Sequence, residues 1–560
     1  MVANLFKNSA RIFLRKQTNI LSASLVLMVA VLLSRLLGLW RDRLLAGTFF
    51  AYGGEWQLDV YFAAFRLPDM VFQLLVMGAL SAAFIPVFSR YLDESEAEAW
   101  HLASAVITLA AGIFVVIAVL IFIFAQPLSR LIAPTFADRE LSLMVQLTRI
   151  MLMAQFFFIL SNFFTGILQS HQRFLLPALA PIAYNLGIIL GILVLSPKWG
   201  IYGPTIGVVI GAFLHLLVQT PVLWRLGFVY KPVFDWGHRG VKRIAKLMLP
   251  RTLSLAVSQI ELTVAVFIAT SLTAGSLSIF YLAQHLSDLP VGLFGLTIGQ
   301  AALPALSKEA EQNLDNFKDI FLSSCRQILY LSLPMGALLI VLRIPLVRIV
   351  FGAKAFPWEA TLLTGKVVAI FALSVFAQAL IQLLVRGFYA LQDTLTPLLI
   401  SIFSVILSVS LSFWLVFGLK MGLIGLSLAI TLATLAQTVM LFVVLEKKVN
   451  GFNKKAYLWP LIKMSLATLL TGVALWVPMR FLDQFLLDTT RTIQLILLTI
   501  VAGLCGLLVY LGLSKLLKIQ ELNSFWQTLR RFGAWRRILA QSEEVLDAPA
   551  APPATPASEE

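Results

Sequence analysis

Apolar runs of about twenty residues or more recur along this chain, and no water-soluble fold has enough interior to bury them all. Fourteen are legible, at 22–42, 58–88, 102–126, 143–168, 174–196, 201–224, 245–270, 275–305, 322–346, 361–390, 397–418, 422–445, 457–478 and 492–514. In hydrocarbon each backbone N–H and C=O has to be satisfied within its own segment, which selects helices. The expected fold class is therefore an all-α polytopic membrane protein with 14 transmembrane helices. With 59% hydrophobic and only 13% charged residues, and a mean hydropathy of +0.89, a soluble domain is excluded.

A net charge of +15 could point to nucleic acid, but the cations lie between the apolar runs, where the positive-inside rule accounts for them. No nucleic-acid partner is expected. Arg225, Lys231, Arg239, Lys242, Arg243 and Lys246, then Lys308 and Lys318, then Lys447, Lys448, Lys454 and Lys455, fall in alternate connections. The intervening ones, such as Thr273-Ala274-Gly275, are poor in charge, so both termini are expected in the cytoplasm.

Two halves echo each other. Arg66-Leu67-Pro68-Asp69, with Gly78-Ala79 and Ala82-Ala83-Phe84-Ile85-Pro86 after it, returns as His285-Leu286-Ser287-Asp288 with Ala301-Ala302-Leu303-Pro304. Gly166-Ile167-Leu168-Gln169 returns as Gly387 through Gln392, again about 220 residues later. Six spans separate equivalent points, so the repeats are parallel, related by a pseudo-two-fold along the membrane normal. The expected organisation is a cytoplasmic N-terminal segment at 1–21, an N-lobe of six helices at 22–225, a C-lobe of six at 226–446 and two appended helices within 447–518. An amphipathic basic segment follows at 519–547, then a Pro/Ala-rich disordered tail at 548–560.

Enzyme signatures are missing. Gly365-Lys366 is followed by Val367 rather than a Walker Ser/Thr, and neither H-E-x-x-H nor G-x-S-x-G occurs. His101, His171, His215, His238 and His285 are scattered, and Cys325 and Cys505 lie far apart in apolar surroundings. No enzyme activity, metal or cofactor is expected.

What remains is polarity at membrane depth, which is costly and marks function by default. Ser34 to Arg43 holds Arg35, Arg41, Asp42 and Arg43 at the end of the first run. In the second run Asp59, Arg66 and Gln73 are spaced by seven, which on a straight helix puts them on one face about 10.5 Å apart. An ion pair of Asp59 with Arg66 is the structural alternative. His285 and Asp288 hold the equivalent place in span eight, while Arg251 and Glu261 in span seven are candidates for coupling. Arg173, Arg386 and Asp393, beside short turns, read as structural. A cavity lined by arginines suits an anion, because guanidinium stays charged and matches phosphate oxygens in pairs.

Ser34-Arg35-Leu36-Leu37-Gly38 with Arg41-Asp42, Asp59 through Pro68, Ala79 through Pro86, Arg173-Phe174 with Pro177 through Pro181, and Phe388 through Thr394 with Thr396-Pro397 together resemble the MurJ/MviN family of the MOP exporter superfamily. The resemblance implies a lipid II flippase that moves undecaprenyl-pyrophosphate-linked peptidoglycan precursor from the inner to the outer leaflet by alternating access. It implies a multi-pass protein of the bacterial inner membrane, a monomer, with lipid II and membrane lipids as partners, cell-wall synthesis proteins as further candidates, and a groove for the polyprenyl tail on the last two helices. Arg35, Arg41 and Asp59 match the family's first- and second-helix charges. The chain departs from the pattern at Phe72, Gln73 and Met77 and at His285 and Asp288, which thins the basic cluster and throws more of the phosphate binding onto Arg35 and Arg41. The family's sodium site is missing its acid, with Ala265 in span seven and only Ser404, Ser408 and Ser412 in span eleven. A flippase for another polyprenyl-pyrophosphate-linked oligosaccharide is the alternative reading, and a multidrug exporter of the same superfamily a more distant one.

Overall fold

A computed structural model describes residues 20–50, 53–77, 83–352, 356–489 and 491–523. Most of the expected N-terminal segment 1–21, the amphipathic segment beyond residue 523 and the whole tail 548–560 lie outside the described residues.

The first half comprises α1 (Ile20–Phe49), α2 (Glu55–Ala64), α3 (Arg66–Phe72), α4 (Ile85–Glu94), α5 (Glu96–Ile123), α6 (Ala125–Ile132), α7 (Asp138–Ser170), α8 (Leu175–Leu190) and α9 (Tyr202–Arg225). The second comprises α10 (Arg239–Thr270), α11 (Ser276–Pro290), α12 (Thr297–Gln312), α13 (Leu314–Val341), α14 (Arg343–Phe351), α15 (Trp358–Ala372), α16 (Val375–Ala390), α17 (Leu395–Phe413) and α18 (Gly422–Lys448), followed by α19 (Lys454–Phe485) and α20 (Thr492–Leu516). No strand occurs among the described residues. Among the described residues eleven helices are long and apolar enough to cross a membrane, or up to twelve if α15 and α16, bent by 42° at their junction, are one span. The other two of the fourteen expected spans fall on α1 and on the stretch 58–88.

In that second stretch the hydrogen-bond ladder is interrupted, and Pro68 explains why. Proline lacks an N–H and its ring crowds the carbonyl four residues back, here that of Ala64. The ladder lacks that one bond between α2 and α3, where Phe65 keeps helical dihedrals, and the Thr148 hydroxyl on α7 donates to the freed Ala64 carbonyl at 3.2 Å. A π-helical turn, Gln73–Met77, follows directly. The second lobe repeats the device with Pro290 at the end of α11 and a π turn at Val291–Leu296.

The backbone carries the sequence repeat at many points, each pair about 220 residues apart. Ser95 and Asn313 cap α5 and α13 from extended conformations, Phe124 and Leu342 break the helices that follow with nearly identical dihedrals, and Gln172 and Gln392 both adopt left-handed φ, at 59° and 58°. Packing repeats too. In the first half α8 lies against α1 and α9, and α7 against α9; in the second, α17 lies against α10 and α18, and α16 against α18. The helices α19 and α20 pair with each other and attach through α13.

α8 and the turn that continues it pack tightly on α9, where Gly187 and Gly191 meet Gly203, Gly207 and Gly211, spaced by four. In a membrane such small-residue ridges let backbones approach and supply the packing that drives association. A Cβ on Gly207 would lie 2.9 Å from the Gly187 carbonyl oxygen and 3.0 Å from the Gly191 and Ile188 Cα atoms, backbone that cannot step aside. Gly207→Leu is therefore expected to cost at least about 3 kcal/mol and to remove most monodisperse protein in size-exclusion chromatography. Gly512→Leu on α20, where a Cβ meets nothing within 4 Å, is the control expected to behave as wild type.

Candidate functional site

Three consecutive residues of α1 point in three directions, because successive helical side chains are rotated by about 100°. Arg41 turns to α8, where Nη1 donates to Asn185 Oδ1 at 3.1 Å. Asp42 turns to α11, where its Oδ2 lies 2.9 Å from Nδ1 of His285. Arg43 reaches the Ile349 carbonyl on α14. Arg41 also grips Asp42 through Nε and Nη2, both on Oδ1, at 3.0 and 2.8 Å. Asp42, 1% exposed, is thus the resident anion between a guanidinium of the first lobe and an imidazole of the second.

Arg35 lies seven residues before Asp42 and so shares its face of the helix. Its Nη2 comes within 3.1 Å of the position a Cβ would take on Gly292, itself seven residues beyond His285. The two helices run antiparallel with matched spacing: Asp42 meets His285 while Arg35 meets the π turn at Gly292, near Asp288. Arg35 is exposed along the cleft, whereas Arg41 is half-buried behind Asp42.

Of the polar stripe expected on span two, Asp59 and Arg66 both turn toward the second lobe. Asp59, on α2, accepts from the Gly275 and Ser278 N–H groups at 2.6 and 2.7 Å and from the Ser278 hydroxyl at 2.5 Å. It caps the first turn of α11 across the lobe interface, where a carboxylate also complements the helix dipole. Arg66, 2% exposed, donates from Nε to Thr263 Oγ1 at 2.9 Å and from Nη2 to the Gln259 carbonyl at 2.8 Å and its side-chain Oε1 at 2.5 Å, all on α10. No Asp59–Arg66 pair forms. Gln73, on the π turn, lies beside Asp69 of its own lobe. Further contacts across the interface stack Phe62 on Tyr281 with centroids 5.0 Å apart, join the Thr135 hydroxyl to the Thr270 carbonyl at 2.8 Å, and set Phe50 against Phe356.

In the second lobe a cavity of about 410 Å³ is lined by Glu261 and Asp288 with Gln259, Gln284, Gln378, Gln382 and Gln437. Glu261 lies beside Ser408 of α17. Arg251 does not join it: ten residues earlier on α10, it lies in the field of Arg386. Arg386 donates to the Gln382 carbonyl at 2.6 Å and packs on Gly299, a local structural role. Asp393, in the turn between α16 and α17, caps the latter through Leu395 and Thr396. Burial pushes its carboxyl up, but the Lys448 ammonium and Thr396 outweigh that and hold it down at about 2. No cluster of His, Cys, Asp and Glu suited to a metal occurs among the described residues.

Of the sequence candidates, Arg35, Arg41, His285 and Asp288 converge on the cleft between α1 and α11, and Asp59 and Arg66 join the lobes at two further points. Asp42 and Asn185 complete the first group. Asp42 had a visible signal, an acid among three arginines at membrane depth, whereas Asn185 is placed by packing from 144 residues away.

A model of the family described as lipid II flippase MurJ matches residues 46–495. A "Probable lipid II flippase MurJ" of Thermotoga maritima is 30% identical over 503 residues, covering 89% of this chain and 96% of the relative. One of Buchnera aphidicola is 27% identical over 520 residues, covering 91% and 99%, and the "Lipid II flippase MurJ" of Burkholderia cenocepacia is 29% identical over 476, covering 83% and 91%. Among solved structures, a lipid II flippase MurJ in an inward closed conformation superposes with a TM-score of 0.73 at 27% identity, covering 88% of this chain and 98% of that one. An inward-facing multidrug transporter of the MATE family and MOP superfamily, at 15% identity and a TM-score of 0.63, shares the fold.

Proposed function

The chain belongs to the MurJ family of lipid II flippases and is a lipid II flippase, and from that premise we propose where the lipid's pyrophosphate binds and how the lobes carry it. The reading rests on one observation: Asp42 is held at once by Arg41 of the first lobe and His285 of the second. A buried carboxylate in that place marks a site built for anion oxygens.

Pyrophosphate enters along the cleft past Arg35, the exposed cation. It then competes with Asp42 for Arg41 and His285, so that binding loosens the contact between α1 and α11. The Gly275 end, sealed by Asp59, is the periplasmic end, both termini are cytoplasmic, and the membrane is the bacterial inner membrane. Alternation of the two lobes carries the undecaprenyl-linked precursor from the inner to the outer leaflet. An inside-negative potential favours outward movement of anions by about 2.3 kcal/mol per charge per 100 mV. Glu261, which with Asp288 lines a polar cavity and lies beside Ser408, is the coupling residue, without Arg251.

Complementation tests the reading. In bacteria depleted of their own lipid II flippase the wild-type chain is expected to restore growth, and Arg35→Ala to restore it poorly, at equal membrane abundance. Rescue by Arg35→Ala as full as by wild type would remove Arg35 from the path, and failure of the wild type would remove lipid II as its cargo.

A further inference from the structure

A hollow of about 420 Å³ opens at the Gly275 end of the first lobe, lined by Trp56 and Gln57 of α2, Arg139 and Gln146 of α7, and Trp199 and Tyr202 where α8 leads into α9, among others. It adjoins the seal. Glu55, next to Trp56, brings its Cβ within 3.3 Å of the position a Cβ would take on Gly275, and Gln57 lies two residues before Asp59. The hollow shares no residue with the cavity of the second lobe or with the cluster of Arg41, Asp42 and His285.

Three segments far apart in sequence curve round it. Arg139 lays its guanidinium over the Trp56 ring, with Cζ 4.8 Å from the centroid, and no carboxylate pairs with it among the described residues. Gly200 takes a φ of 54°, a conformation that a Cβ disfavours, and the turn it makes brings Trp199 and Tyr202 to the same hollow. The Tyr202 hydroxyl donates to the side-chain oxygen of Gln146, which leaves that amide nitrogen facing only the Ser142 hydroxyl, at 3.5 Å. Gln57 makes no side-chain hydrogen bond among the described residues.

Aromatic rings, amides with bonding capacity to spare and one guanidinium suit a carbohydrate. The C–H face of a pyranose ring packs on the negative face of an indole or phenol, while hydroxyl and acetamido groups, each both donor and acceptor, pair with carboxamides. An organic cation would meet Arg139 with no acid in the lining to offset it, and a wholly apolar ligand would strand the amides. The rings of an interfacial aromatic belt lie on a lipid-facing surface and enclose nothing. These surround a concavity within the size range of small-molecule sites.

We propose that the hollow binds an N-acetylated amino-sugar glycan on the outer side of the membrane, with Trp199 and Tyr202 stacking on the sugar and Gln57, Gln146 and Arg139 bonding its substituents. The inference rests on the reading above, in which a lipid-linked precursor carrying such sugars is delivered at the Gly275 end when the seal opens. Glycan already polymerised outside carries the same sugars, and length separates the two sources.

The test is calorimetric titration of the purified full chain in detergent with soluble N-acetylglucosamine oligomers, and with maltotetraose as the reference that lacks acetamido groups. Wild type is expected to bind the N-acetylated tetrasaccharide. Trp199→Ala, at a position 54% exposed, should bind it about tenfold or more weakly, while Trp199→Phe keeps most of the affinity. Arg139→Gln, also at an exposed position, should weaken binding severalfold and serves if Trp199→Ala is not monodisperse. An N-acetylated disaccharide bound as tightly as the tetrasaccharide assigns the hollow to the head of the delivered precursor, and tighter binding of the longer chain assigns it to polymer. No binding by wild type, equal binding by wild type and both variants, or equal binding of maltotetraose overturns the proposal. Failure of the wild type in complementation leaves these titrations readable, so the cargo and the glycan site fail separately.

Discussion

Arg41→Ala is expected to abolish lipid II flipping, with the rate in proteoliposomes falling by about a hundredfold or more, as loss of a charge-assisted pair of contacts worth about 3 kcal/mol implies. Two effects combine in that loss and can be separated. Removing the guanidinium leaves Asp42, 1% exposed, without its main counter-charge, and an uncompensated buried charge costs about 3–5 kcal/mol. The variant should therefore also accumulate poorly. Adding Asp42→Asn removes the stranded charge, so Arg41→Ala/Asp42→Asn should recover abundance and thermal stability. Flipping should stay lost, because the group proposed to receive the pyrophosphate is still absent. Recovery of flipping by the double variant would reduce Arg41 to a counter-ion for Asp42. Lysine is no substitute here: Arg41 places Nε and Nη2 on one oxygen of Asp42 and Nη1 on Asn185 at once, a planar fork that one ammonium cannot reproduce.

That geometry also marks where the sequence stops being informative. Apolar run length foretells a helix because it is a local property, and the repeat is visible because turns and helix ends need particular residues, such as Pro86 and Pro304 or Gln169 and Gln392; the matching caps at Ser95 and Asn313 follow the same repeat. The stripe of Asp59, Arg66 and Gln73 is legible as a spacing, but the partners it meets are not: they lie on α11 for Asp59 and on α10 for Arg66. Arg35 and Arg41 read as one half-site because both are arginines in one helix. Six residues apart, they are about 120° out of phase, so only Arg35 shares the face of Asp42. The glycines at 187, 191, 203, 207 and 211 carried a spacing that foretells close helix contact, and it could have been read. The partners of Arg66, Gln259 and Thr263, could not, since 193 and 197 residues of chain separate them and only the docking of α3 on α10 brings them together.

Asp59→Ala is expected to open the seal at the Gly275 end. The carboxylate is 3% exposed and belongs to the first lobe, yet all three of its hydrogen bonds go to the start of α11 in the second. If the lobes part at this end, those bonds break together, so Asp59 stabilises the sealed form and contributes nothing to the open one. A side chain with that differential shifts the equilibrium by its full worth. At about 1.5–3 kcal/mol for a hydrogen bond to a charged group, even two of the three amount to a shift of more than a hundredfold. A cysteine at Ser276, 2% exposed in the sealed form, reports the change once Cys325 and Cys505 are replaced. In intact cells a membrane-impermeant maleimide added outside should label it much faster with Asp59→Ala than with Asp59 present. Asp59→Asn, whose amide oxygen still accepts, should fall between the two. A protein biased so far toward the open form cannot reload from the inner leaflet, so flipping should fall alongside the rise in labelling. Unchanged labelling in a well-folded Asp59→Ala protein would mean that the seal rests elsewhere, on the Phe62–Tyr281 stack and the Thr135–Thr270 bond.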